Sequence, residues 1–218
     1  MRLFTKLFIY FAIVINILNI TEEKSMHILK SITLITLSTS LLLSASQDNK
    51  SSELDKIIKT GQKSSQLLIQ TLGKRMKSKL KKDGVMKTLD FCANEAYNIT
   101  QEVNQKLPKG VRVRRISAKY RNPANAPKDN ELAILESFLK LKNSNVIMPK
   151  QLVEQVDKKT FKYYKPLFIN NKACLACHGT IKDVELRRAI ADRYPIDSAN
   201  NYELGDFRGA VVVTIKRK

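Results

Sequence analysis

Residues 174 to 178 read Cys-Leu-Ala-Cys-His, and no other stretch restricts the fold as much. Cys-x-x-Cys-His is the attachment pattern of c-type haem. Two thiols add to the two haem vinyl groups as thioethers, and the next residue, His178, then presents an imidazole nitrogen to the iron. Three other uses of the same residues compete. A thioredoxin-like Cys-x-x-Cys opens a helix after a strand of a βαβ unit, and the sequence has no βαβ pattern. A zinc site has enough ligands in Cys92, Cys174, Cys177 and His178, although His178 directly abuts Cys177. A Cys174–Cys177 disulfide would close a small strained ring. The expectation is one covalent haem c on Cys174 and Cys177, with His178 as an axial iron ligand.

The N-terminus bears on where that chemistry takes place. Two apolar runs precede the polar chain, Leu7 to Ile20 and Ile32 to Leu43. The second follows Met26 and Lys30 and ends in the small residues Ser44-Ala45-Ser46, the layout of a secretory signal. Residues 1–46 are therefore expected to be a leader, with Met26 as the translation start and cleavage near Ser46. The rival reading makes residues 3–20 a membrane helix of about the minimum spanning length. The first reading places the rest in the periplasm, and the second anchors it to the membrane. Net charge is +19, a balance that invites a nucleic-acid reading. Export argues against that. An anionic membrane surface or an acidic redox or signalling protein is the expected partner.

Hydrophobic residues make up 43%, enough for a packed core. Residues 51–82 read as one amphipathic helix: Leu54, Ile57, Ile58, Gly61, Ser65, Leu68, Leu72, Met76 and Leu80 step by three or four, and the opposite side is rich in lysine. Asp83-Gly84 ends it, and a second helix runs from Val85 to Leu107 through Leu89, Cys92, Ala96, Ile99 and Val103. Val111 to Ser117 alternates as a strand. Arg121 to Pro127 is a loop, and Asn130 caps a helix from Glu131 to Lys142. Thr160 to Ile169 reads as a strand, Asn170-Asn171 as the turn into Cys174, and Val184 to Asp192 as a short helix. Gly209 to Ile215 is the last strand. Helices grouped ahead of strands with unequal loops imply an α+β fold on an antiparallel sheet. The division is 1–46 leader, 47–83 long amphipathic helix acting as a stalk or packing arm, and 84–218 haem-binding domain.

The block Arg114-Arg115-Ile116-Ser117-Ala118-Lys119-Tyr120-Arg121-Asn122-Pro123-Ala124-Asn125-Ala126-Pro127 with Glu131 resembles a family of exported c-type haem-binding domains with a PAS-like fold. These occur alone or as the sensor part of histidine kinases. Tyr163 to Leu167, Cys174 to Gly179 and Gly209 to Val213 are similar to that family as well, so the resemblance covers about residues 51–216. It implies a PAS-like antiparallel sheet with flanking helices. With no transmitter following the domain, any signal output would pass to a partner.

The mature chain would keep one histidine, His178, because His27 leaves with the leader. Bis-histidine ligation is then excluded, and the sixth position falls to Met76, Met86, Met148, Cys92, a lysine, water or nothing. A buried free cysteine is otherwise often just a small hydrophobe. In the resembled family a cysteine on the helix before the sheet is the far ligand, and Phe91-Cys92-Ala93-Asn94-Glu95-Ala96 is similar to that segment. The resemblance therefore implies Cys92. A thiolate ligand favours ferric iron and a low potential. Arg115, Lys119, Tyr120 and Arg121 are candidate partners for haem propionates. The expected function is a redox or small-ligand sensor, with a periplasmic electron-transfer cytochrome as the alternative. An enzyme is not expected, because no second histidine would remain for acid–base work. The long helix would also suit a homodimer.

Overall fold

The computed structural model describes the backbone from residue 22 to 217 and side chains from Ser51 onward. The apolar run Leu7 to Ile20 lies outside the described residues, and Ile32 to Leu43 lies where only the backbone is described. Among the described residues no helix is long and apolar enough to cross a membrane. The described chain divides after Leu54, and the residues from Asp55 onward form a compact unit that holds every described strand.

Helix α1 spans Glu22–Asn94 and is broken at Gly84, whose φ of 78° and ψ of −177° are not helical. A turn at Glu95 separates it from α2, Ala96–Gln105. The expected continuous helix from Val85 to Leu107 is thus two pieces, the second ending before Pro108. Strand β1, Val111–Ile116, follows, then a single 3-10 turn, Pro123–Asn125, within the expected loop. Helix α3 is Glu131–Asn143. Asn130 does not cap it with its side chain; its Nδ2 donates instead to Glu154 at 3.2 Å. Strands β2, Leu152–Gln155, and β3, Thr160–Phe168, form a hairpin, and β2 has too few residues to show a period in sequence. Helices α4, Lys172–His178, and α5, Val184–Arg193, then lead to β4, Phe207–Lys216.

The sheet is fully antiparallel in the order β1-β4-β3-β2. The expected α+β architecture is what forms. The central strand β4 is buried on both faces, which is why Val211-Val212-Val213 is an unbroken apolar run. On one face Val111, Val113, Phe161, Tyr163, Val211, Val213 and Ile215 pack with Ile57 and Leu68 of α1 and Val103 of α2. On the other, Ile116, Tyr164, Ala210 and Val212 pack with Leu135 and Phe138 of α3. Fully burying a side chain such as Leu68 or Phe138 contributes about 1.5–3 kcal/mol. The second face also holds a buried carboxylate: Glu131 pairs with Arg114 and accepts from Lys128 N–H at 2.8 Å. Pro166 is tolerated in β3 because β2 pairs only as far as Tyr164, so no ladder bond is lost on that side.

Candidate functional site

The Cys-x-x-Cys-His segment sits on a helix of its own, Lys172–His178, which opens straight after the expected turn at Asn170-Asn171. Asn171 starts α4 by accepting a hydrogen bond from Ala173 N–H at 2.8 Å. On a helix, positions separated by three and four share a face, so Cys174, Cys177 and His178 lie together. Cys174 and Leu175 pack against Ile169, Ala199 and Tyr202. The helix end is tied down by Tyr202 N–H, which donates to the His178 carbonyl at 2.9 Å.

The His178 ring is fixed from behind. Its Nδ1 lies 2.8 Å from the Ala199 carbonyl. A carbonyl only accepts, so Nδ1 carries the proton and Nε2 keeps a free lone pair. Tyr202 meets the ring edge-on, with centroids 6.4 Å apart. Burial, with the charges of Arg208 and Arg121 nearby, pushes the imidazole down to about 3. The ring is neutral, the state in which histidine ligates a metal.

Arg121 builds the support around it. Its guanidinium donates to both Asp197 carboxylate oxygens, at 3.0 and 2.9 Å, and to the carbonyls of Cys177 and Ala199 at 2.8 and 3.1 Å. One buried fork therefore joins the end of α4 to the loop that anchors His178. Lys119 Nζ donates to the Asn200 carbonyl at 2.8 Å and lies 4.5 Å over Tyr202. Tyr120 accepts at its own carbonyl from Ser198 N–H and Oγ. Of the four residues expected near propionates, these three have structural ties. Arg115 does not: its Nε is buried without a partner.

Cys92 comes into the same neighbourhood from α1, beyond the break at Gly84. The 85–94 segment packs against α5 through Leu89, Leu186, Ala189, Ile190 and Tyr194, and Arg193 Nε donates to Asp90 at 2.8 Å. Burial pushes the Cys92 thiol up, Arg115 and Arg121 pull it down, and Cys177 adds to the rise. Cys92 therefore lies within electrostatic reach of Arg115, Arg121 and Cys177. Met148, by contrast, packs on the opposite sheet face, and Met86 is exposed. Cys92, Cys177, His178, Arg115 and Arg208 share one property. Each keeps accessible surface, yet burial is the largest influence on its ionisation. Half-buried groups gathered in this way can form the wall of a recess. That suits a flat macrocycle held by Cys174 and Cys177, with Nε2 of His178 on one side.

The competing chemistries fit less well. All three cysteines are free thiols. Among the described residues no group of three or more His, Cys, Asp or Glu is placed to hold a metal ion alone. The antiparallel sheet has no βαβ unit. Two clefts elsewhere, one between Gln101, Arg112 and Lys216 and one between Gln62, Met148 and Tyr163, are lined by neither cysteine nor histidine. Sequence reasoning missed Asp197, Tyr202 and Arg208. Asp197 and Tyr202 lie in a loop without pattern, and nothing in Phe207-Arg208 ahead of the apolar strand marks the arginine.

A family model described as Tll0287-like matches residues 22–216. The crystal structure of the cyanobacterial heme-protein Tll0287 is similar, with a TM-score of 0.52 and 26% identity, covering 77% of this chain and 96% of that chain. No curated protein matches. The resemblance carried by the Arg114–Pro127 block and the Cys174–Gly179 segment is therefore borne out, and the chain belongs to the Tll0287-like family.

Proposed function

We propose that this protein binds one haem, held covalently by Cys174 and Cys177, with His178 and Cys92 as the axial ligands. It acts in the periplasm as a redox or small-ligand sensor and is not an enzyme. The observation that carries the reading is the orientation of His178, whose Nδ1 proton is committed to Ala199 while Nε2 stays free. The description of the solved relative as a heme-protein supports it. The bound haem would supply an iron that changes oxidation state and exchanges ligands.

The chain's own residues divide the work. Arg121, Asp197 and Ala199 keep His178 in one orientation. Cys92 lies on the 85–94 segment, which meets the rest of α1 at Gly84. A change in what Cys92 binds would therefore be felt at a hinge leading into the long helix, where a partner can read it. The lysine side of that helix is the surface offered to an anionic membrane or an acidic redox or signalling protein. The strongly basic charge favours the second reading, an electron carrier docking on acidic proteins.

Oxidised and reduced spectra of the purified protein and of Cys92→Ala test this. Haem that resists acid–acetone extraction and a ferric low-spin thiolate spectrum lost in Cys92→Ala are expected. Haem-free protein would sink the reading. An unchanged Cys92→Ala spectrum would remove Cys92 as ligand. Retention of the thiolate signature in both oxidation states, with fast electron exchange, would select the carrier.

A further inference from the structure

Enclosing a cation without an anion beside it is unfavourable, and native folds avoid it unless something supplies the counter-charge. Two arginines at this site are in that position. Arg115 follows Val113 on the helix-covered face of β1, opposite Val211 of β4. Its neighbours in the register on that face are Val113, Val211 and, one strand further, Lys165, none of them an acid. Arg115 Nε is buried with no hydrogen-bond partner. Arg208, next to the closing strand's apolar run, has its Nη1 on Ser117 Oγ at 2.7 Å and on the Lys119 carbonyl at 3.0 Å, both neutral acceptors. Its guanidinium carbon lies 5.2 Å from the Tyr202 ring centre. Among the described residues neither arginine forms an ion pair. The carboxylate at the site, Asp197, is taken by Arg121 through both its oxygens. Arg115 lies within electrostatic reach of Arg208, with the Cys92 sulfur, on the iron side of the proposed site, as its nearest group able to carry negative charge.

We propose that Arg115 and Arg208 form a receptor for a pair of carboxylates, and that its occupants are the two haem propionates. The inference rests on the haem reading above. A guanidinium presents a planar fork that matches a carboxylate with two parallel bonds, so two such forks without a carboxylate of their own match a ligand bearing two carboxylates. Arg121 and Lys119, though basic and adjacent, are not short of a counter-charge: Arg121 is paired with Asp197, and Lys119 is exposed to solvent. The receptor joins a residue on the Cys92 side of the recess to one on the His178 side, as a planar ligand lying between the two would require.

The test is a potentiometric titration of the haem across pH in the wild-type holoprotein and in Arg115→Gln and Arg208→Gln. A cation beside the haem favours the ferrous state and keeps a propionate ionised. Each glutamine variant should therefore show a lower midpoint potential than wild type. Its potential should also acquire a new fall with rising pH, as the released propionate titrates within the measured range. Arg115→Lys and Arg208→Lys should restore most of the wild-type profile. Should the glutamine variants fail to fold, resonance Raman propionate bending modes of the lysine variants serve instead, and these should shift from wild type. Midpoint and pH profile superimposable on wild type in both glutamine variants, or unshifted propionate modes in both lysine variants, would overturn the receptor. A wild-type protein without haem would overturn the reading beneath it, a distinguishable result.

Discussion

At the residue scale the Arg121–Asp197 pair is the point on which the site depends. Both side chains are about nine-tenths buried, at 9% exposure each. Removing one partner of such a pair strands the other charge, so Asp197→Ala should cost about 3 kcal/mol in urea unfolding at neutral pH. Burial works to raise the Asp197 carboxyl, but hydrogen bonds from Arg121 and Ala199 N–H outweigh it and leave the group below its usual range. A carboxyl depressed in the folded state adds stability above its unfolded value of about 3.9 and loses that contribution as pH falls through the folded one. The gap between wild type and Asp197→Ala should therefore narrow in acid, and a gap constant across that window would contradict the pairing. Arg121 stood out in sequence because it sits in the Arg114–Pro127 block. Its role did not, because the block says nothing of Asp197, which reaches it only through the fold. The Cys174–His178 spacing was legible because it is local; the Ala199 carbonyl that orients the imidazole is not a side chain and leaves no trace in composition.

At the element scale two glycines of α1 control how the long helix meets the sheet. A Cβ at Gly61 would stand 2.1 Å from the Tyr163 ring, and Tyr163 is fully buried. Gly61→Ala gains about 1 kcal/mol of helix propensity, but the ring cannot yield that far without displacing β3, and overpacking costs about 1–3 kcal/mol. The net change should be a lower urea midpoint. Gly73, with nothing within 4 Å of its added Cβ, is the contrast: Gly73→Ala should raise the midpoint by the propensity alone. Equal effects at the two positions would show that the helix does not approach the sheet as described. Gly84 has a φ of 78° with an extended ψ, a region that costs other residues about 1–3 kcal/mol. Gly84→Ala should lose stability by that amount and alter the haem spectrum, because it re-aims the segment carrying Cys92. The Asp83-Gly84 break was readable in sequence, as were both helical faces, since periodicity survives over many residues. Helix α4 and strand β2 were not, with seven and four residues respectively, too short for a period to repeat.

At the scale of the whole molecule the candidate site draws on α1, β1, α4, the loop at 194–202 and the start of β4, while the basic charge is concentrated elsewhere. Lys56, Lys59, Lys63, Lys74, Lys77 and Lys81, with Gln66 and Gln70 between them, step by three or four along α1, and all eight are exposed. The stripe contains no acidic residue, and it runs along the side away from Ile57, Gly61 and Leu68, which face the sheet. Among the described side chains of this helix the apolar counterpart is used in the core, so contact of the lysine stripe with an anionic surface is electrostatic. Each lysine near such a surface contributes about 1 kcal/mol, and the interaction fades as the screening length falls from about 30 Å at ~0.01 M salt to about 8 Å at ~0.15 M. The purified protein should therefore sediment with phosphatidylglycerol vesicles at low salt, be released as salt rises, and ignore phosphatidylcholine vesicles. Replacing Lys74, Lys77 and Lys81 by glutamine should weaken that binding about a hundredfold while leaving the haem spectrum as it is, because none of the three contributes to the recess. Binding that persists at high salt, or that the triple variant retains in full, would move the partner from a membrane surface to a protein with its own complementary shape.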